Sequence, residues 1–246
     1  SMNRSRVLEL NGDIMYPWGG RIMEGRPLNE FYGYLRLGTW GTEEASEAAA
    51  YGKKPGDVKY ADGNNNKVKD ANDRTVLGNG MPGFEASLGN TFTCKNFSLL
   101  VDLQTIYGHS LANFTRMLME NAAPFTNSYR SALNAWTPQR QGGMKAALRL
   151  PQDGFDNEMD SYYIEKGTFL RVRNIALAYR LSENWLAKYH IKSASVSVSA
   201  ENYFLFTKYK GYDPEASSFD GDFNQGVDLY QYPKAKTLSL TLNVTL

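Results

Sequence analysis

The sequence is short of most of what enzymes and metal-binding proteins use. Its 246 residues include one cysteine, Cys94, so no internal disulfide can form and no CxxC pair can hold a metal. The two histidines, His109 and His190, stand far apart and in no metal-ligand spacing. A GxSxG nucleophile elbow, a phosphate-binding P-loop and an HExxH pair are all missing. The net charge of +1 gives no electrostatic pull toward nucleic acid. No run of ~18 apolar residues exists, so no helix is expected to cross a membrane. The opening SMNRSRVLELNG has no apolar signal core. The chain is therefore expected to be cytosolic, mature, or a piece of something longer.

What the chain has instead is long period-two alternation. Ala194, Val196, Val198 and Ala200 alternate with Ser195, Ser197, Ser199 and Glu201. Leu238, Leu240, Leu242, Val244 and Leu246 alternate with Thr237, Ser239, Thr241, Asn243 and Thr245. Such a pattern sets one face of a strand against apolar matter and the other against polar matter, and no helix keeps it. The runs are longer than the ~5–6 residues of an ordinary strand and match the ~9–11 tilted residues that cross a bilayer as β-structure. A negative mean hydropathy is no objection, because only every second residue need be apolar.

Strands are expected at about 1–10, 83–92, 96–107, 167–181, 193–209 and 232–246. Within 83–107, Phe84, Ala86, Leu88 and Phe92 share one parity, a tight turn follows at Thr93–Asn96, and Phe97, Leu99, Val101 and Leu103 share the next, with Leu100 as the misfit. In 167–181 the alternation slips near Arg173–Asn174, and a β-bulge would rejoin the two registers. Residues 11–82, 108–166 and 210–231 read as loops. They carry an alanine-rich EEASEAAAYG with one or two helical turns and a helical stretch near Leu111–Ala123. The 108–166 segment is too long for a plain connector and is read as functional.

Long connections alternate with short ones, as the external loops and periplasmic turns of an outer-membrane barrel do. About six strands cannot close a wide barrel, and open edges in lipid are prohibitively costly. Strands on a preceding part of the polypeptide, or on a nicked partner, are therefore expected.

Several stretches together resemble the C-terminal part of the SusC/RagA family of TonB-linked outer-membrane transporters of Bacteroidetes. They are EGRPLNEFYGY at 24–34, PGDVKYAD at 55–62, NDRTVLGNGMPGFEASLGNTF at 72–92, FLRVRNIALAYRL at 169–181 and NYFLFTKYKGYDPE at 202–215. The resemblance implies an all-β fold: about six antiparallel strands from the C-terminal segment of a 22-stranded, plugged transmembrane β-barrel with long extracellular loops. The plug and TonB box would lie upstream. It also implies an outer-membrane location, a SusD-like lipoprotein lid, energy from TonB–ExbB–ExbD, and an oligosaccharide or oligopeptide as cargo. Family members usually end in an aromatic residue, from which Leu246 departs.

Candidate sites are few. Asp62, Asn64, Asn66 and Asp73 fall at positions 1, 3, 5 and 12 of an EF-hand-like loop and form a weak Ca²⁺ candidate. Lys67 replaces the glycine of the sharp turn, and an Asx-turn-rich surface loop is the favoured reading of the tract. No other metal or cofactor is expected. Arg171 and Arg173 lie opposite Leu170 and Val172, and are expected to face the lumen, since a lipid-facing charge costs ~2–4 kcal/mol near the midplane. Tyr203, Phe204, Phe206, Tyr209, Tyr230 and Tyr232 are expected to form an interfacial aromatic girdle, with sugar stacking as the sharper alternative. Asp213 and Glu215 flank Pro214 without the geometry of a glycosidase pair.

The resulting expectation is a barrel segment of a TonB-dependent importer with no catalytic residues and no nucleic-acid partner. The rivals are a soluble β-sandwich carbohydrate-binding module and, further off, a carbohydrate-active enzyme fragment using Asp213 and Glu215. The face covering the apolar parity decides between them: lipid in a barrel, a second sheet in a sandwich.

Overall fold

The computed structural model describes residues 1–120, 127–148, 158–219 and 223–246. In chain order the first elements are β1 (Gly20–Arg21), β2 (Glu30–Tyr34), β3 (Arg36–Thr39), α1 (Ala45–Ala50), β4 (Val58–Tyr60) and β5 (Arg74–Asn79). Then come β6 (Phe84–Cys94), β7 (Phe97–Tyr107), β8 (Ser110–Asn113), α2 (Phe114–Glu120), β9 (Ile164–Lys166), β10 (Phe169–Arg180), α3 (Glu183–Leu186), β11 (Ser193–Thr207), β12 (Val227–Asp228) and β13 (Thr237–Thr245).

The five long strands form one antiparallel sheet in the order β13-β11-β10-β7-β6. It does not close on itself, so β13 and β6 are edges. Strands β6 and β7 are joined by Lys95 and Asn96, with Lys95 at φ +52, the left-handed conformation that tight hairpins require. Strands β10 and β11 are joined through α3 and a 3₁₀ turn at Ala187–Tyr189. Both short links lie at one end of the sheet. The long connections from β7 to β10 and from β11 to β13 leave from the other.

The described residues of these connections and of the segment before β6 form further short strands. Three small sheets, β1-β2-β5, β3-β4 and β12-β8-β9, lie outside the large one. The apolar core sits among them: Phe31 of β2, Ala112 of β8, Phe114 and Met117 of α2, Tyr163, and Val227 of β12. Asn113 accepts from the Arg116 amide at 2.8 Å and so caps the first turn of α2. Strand β12 reaches β8 because two glycines allow a close approach. A Cβ on Gly80 would lie 1.9 Å from the Gln225 carbonyl oxygen, and Gly226, at φ +86, passes its carbonyl to the Ala112 amide.

The register slip predicted near Arg173 is present. Val172 pairs with Leu103 and Phe204, Asn174 with Asp102 and Glu201, and Arg173 pairs with neither neighbour. Other expectations need correction. Residues 1–10 form no strand: the Val7 backbone bonds to Gly25 and Arg26, and Ser5 Oγ accepts from the Leu28 amide, so the 23–28 turn holds the segment. Only the Ser1 backbone reaches the large sheet, at Glu85 of β6. Residues 11–82, expected as loop, hold five short strands, while α1 falls in EEASEAAAYG, where helical turns are expected. Residues 111–113, expected as helix, extend as β8 before α2 begins, while 121–123 fall outside the described residues. The final strand begins at Thr237 and not at Tyr232.

Candidate functional site

The two faces of the large sheet differ in character. One cross-strand row runs Phe92, Leu99, Leu177, Val198, Leu240; the next runs Cys94, Phe97, Tyr179, Val196, Leu242. The opposite face carries Thr93, Ser98, Ala178, Ser197, Thr241, and then Gly89, Asp102, Asn174, Glu201, Thr237. The apolar face is uncovered: Phe92 is 61% exposed, Leu177 51% and Leu240 75%. A contiguous apolar patch across five strands is far larger than soluble monomers tolerate. Leu100, beside Ala176, is an apolar residue on the polar face, and nearer the loop end Ile106, Phe169 and Leu205 share that face with Arg171.

The apolar band also has the right height. From Leu170 to Tyr179 the strand climbs roughly 30 Å at ~3.3 Å per residue. Tilted by ~40°, that becomes roughly 23 Å, close to the ~25 Å band of outer-membrane barrels. Aromatic side chains mark both ends. Phe97 and Tyr179 pack at 4.8 Å between centroids at the short-turn end. Exposed Phe84, Tyr107, Phe204 and Phe206 stand at the other.

On the polar face, the predicted lumen residue Arg171 is buried by the loop that carries Asp213-Pro214-Glu215. Its Nη2 lies 2.6 Å from Asp213 Oδ1, and its Nε 3.1 Å from Glu215 Oε2, within ion-pair range but off-line for a hydrogen bond. Lys234 Nζ meets Glu215 at 2.7 Å, and the Glu215 amide donates to Asp213 Oδ1 at 3.0 Å. His109 Nε2 bonds to the Pro214 carbonyl at 3.1 Å. Burial pulls the imidazole pKa below its ordinary value, although the Pro214 carbonyl, Glu85 and Glu215 oppose that. Facing a carbonyl, Nε2 is the donor, and buried Nδ1 has no hydrogen-bond partner. Arg173, the second predicted arginine, is exposed at the register slip and lines a recess with Asp102, Asn174 and Glu201.

The expected aromatic girdle divides. Phe204 and Phe206 lie on the apolar face, and Tyr203 sits at the slip. Tyr209 does not belong to it: it is buried, and its hydroxyl donates to Asp228. Burial first, and Asp228 second, raise that phenol's pKa, so it stays a donor. The strand ends at Thr207, which frees Tyr209 to turn inward. Tyr230 and Tyr232 are exposed but precede β13, and Tyr230 is in the left-handed conformation with its amide bonded to Thr115 Oγ1.

The oxygens of the calcium candidate are directed at backbone amides. Asp62 accepts from Asn66 and Lys67, Asn64 from Asn66, and Asn66 from Val68. Asp73 accepts from Gly63 at 2.9 Å and Asp70 at 3.0 Å. Among the described residues no group of three His, Cys, Asp or Glu side chains converges on a metal-sized site.

Two buried ion-pair centres were not legible in the sequence. Arg36 donates through Nε to Asp160 at 2.7 Å, and Tyr60 donates to the same carboxylate, tying β3 and β4 to residue 160. Arg116 of α2 meets Glu165 of β9 at 2.7 Å and Glu120 at 3.2 Å, and Lys145 joins Glu120 at 2.9 Å. Apart from the i,i+4 pair Arg116–Glu120 within α2, the partners come from different elements or loops, so no local pattern announces them.

No protein-family model matches the chain. It is 29% and 27% identical to two TonB-dependent receptors of Formosa agariphila, over 91% and 100% of its own length but only 22% and 26% of theirs. It is 28% identical over 78% of its length to the TonB-dependent receptor SusC of Bacteroides thetaiotaomicron, covering 18% of that protein. The chain thus spans about a quarter of the length of the curated relatives it matches. Among solved structures, it superimposes on the RagAB peptide importer in its open-open state with a TM-score of 0.74 and 25% identity, covering 98% of this chain and 25% of that one. A second structure of the RagAB peptide transporter matches at a TM-score of 0.73 and 24% identity over 94% of this chain and 24% of that one, which bears on the fold alone. Along nearly its whole length, then, the chain is similar to a quarter of a TonB-dependent receptor and has the fold of the matching part of the RagAB transporter.

Proposed function

We propose that this chain forms part of the wall and the external loops of a TonB-dependent importer in the outer membrane. The observation that carries the reading is the uncovered apolar face shared by β13, β11, β10, β7 and β6, backed by a polar face. Lipid is the environment that makes such a surface stable. A β-sandwich would need a second sheet over that face, and among the described residues none lies there. Asp213 and Glu215 serve as the clamp on Arg171, which leaves them no role as a catalytic pair.

The cargo is an oligosaccharide or oligopeptide, in keeping with relatives named SusC and RagAB. The built loops of 11–82 and 108–166 would meet a SusD-like lipoprotein lid, and TonB–ExbB–ExbD would act through parts of the protein outside this chain. Site-directed spin labelling of the full-length protein in outer-membrane lipid tests the placement. In a Cys94→Ser background, labels at Phe92 and Leu240 should collide with oxygen, and labels at Ser98 and Ser197 with a water-soluble nickel chelate. Water accessibility at Phe92 and Leu240 would overturn the reading.

A further inference from the structure

Where the apolar band meets the built loops, an open groove of about 690 Å³ is cut into the rim of the sheet. Its floor belongs to the band: Leu170 and Phe206 are cross-strand partners, and both are exposed. Its upper wall is different. Lys166 closes β9, Lys208 follows the last residue of β11, and Tyr107 and Thr168 also line the groove. No carboxylate lines the groove, and neither lysine has an ion-pair partner among the described residues. The buried arginines Arg171, Arg116 and Arg36, by contrast, are each neutralised by a carboxylate of the chain. Two unopposed cations directly above an apolar floor form a complementary surface for one kind of molecule: an anionic headgroup on acyl chains.

We propose that this groove binds a phosphate-bearing lipid of the outer leaflet. Lys166 and Lys208 hold the phosphate, Tyr107 and Thr168 offer hydroxyls to the sugar or glycerol beneath it, and the chains run down over Leu170 and Phe206. Continuity with the apolar band places the headgroup at the height where phosphates of the leaflet lie. Lysines held near an anionic surface strengthen binding by about fivefold each. This assignment rests on the membrane reading of the sheet, because only then is the groove at a lipid surface.

Native mass spectrometry of the detergent-solubilised full-length protein provides the test, with lipid A, dephosphorylated lipid A and inorganic phosphate as separate probes. The wild type should retain lipid A, bind its dephosphorylated form far more weakly, and be indifferent to inorganic phosphate. The Lys166→Ser/Lys208→Ser double variant should bind lipid A about thirty-fold more weakly. The Lys166→Arg/Lys208→Arg variant should keep binding, and Lys188→Ser, at the opposite end of the sheet, should change nothing. Equal retention of lipid A by the serine variant, or equal binding of the dephosphorylated form, would overturn the proposal. Binding of inorganic phosphate as tight as that of lipid A would overturn it too, in favour of a soluble-anion site. If the labels at Phe92 and Leu240 report lipid while the serine variant keeps its lipid A, only the groove assignment falls; if they report water, the membrane reading falls first.

Discussion

Arg171 and Asp213 lie 42 residues apart in sequence and 2.6 Å apart in space, and both are almost completely buried. The pair fastens the loop after β11 onto the polar face of β10. Removing one member leaves the other charge buried without compensation, which typically costs about 3–5 kcal/mol. Arg171→Met should therefore lower the unfolding midpoint of the full-length protein sharply. Asp213→Asn should do less, because Glu215 still faces the guanidinium. A double-mutant cycle on urea unfolding checks it: additive effects would show that the two side chains do not work as a pair.

Charge placed in the apolar band separates the two faces. Leu177 sits in the middle strand and in the middle of the band. Leu177→Arg should cost about 2–4 kcal/mol in lipid and reduce the yield of assembled protein. Ala178→Arg, one residue on and facing the polar side, should cost far less. Folding yield into lipid vesicles, read by heat-modifiable gel mobility, makes the comparison; equal losses would mean that both faces see the same medium.

The long strands were legible because alternation is a property of adjacent residues: Val196, Val198 and Ala200 announce their face without reference to anything else. Even the slip at Arg173 showed as a change of parity. The loop region was not legible, because its strands are two to six residues long and its core is drawn from Phe31, Phe114, Tyr163 and Val227, which no local period connects. Tyr209 was misplaced for a related reason. In sequence it continues the aromatic run from Phe204, but the strand stops at Thr207 and the phenol finds Asp228 instead.

His109 gives the loop clamp a pH dependence of defined sign. Its pKa in the fold lies below the ordinary 6.5, chiefly through burial. Below about pH 6.5 the unfolded or opened chain binds a proton that the packed state resists, so stability falls as pH drops below that value and is flat above it. Protection factors at residues 208–216, corrected for the intrinsic exchange rate at each pH, should fall between pH 7 and pH 5 and lose that dependence in His109→Gln. A slope that persists in the variant would assign the effect to other groups.

The loop from Asp62 to Asp73 provides the last prediction. Its oxygens accept from six backbone amides, those of Gly63, Asn66, Lys67, Val68, Asp70 and Asn72. An EF-hand points the same oxygens inward at the ion. Calcium would have to displace those amide bonds before it gained any ligand, and the left-handed turn at Lys67 has already been made without the customary glycine. Millimolar calcium should therefore leave the thermal midpoint of the full-length protein unchanged, since a ligand stabilises only in proportion to its binding to the folded state. Asp73→Ala, by contrast, should loosen the loop in calcium and in chelator alike, because it strips acceptors from both Gly63 and Asp70. Limited proteolysis within 62–73, run in both buffers, distinguishes the two accounts: cleavage that calcium suppresses in the wild type would mean that the carboxylates bind the ion after all.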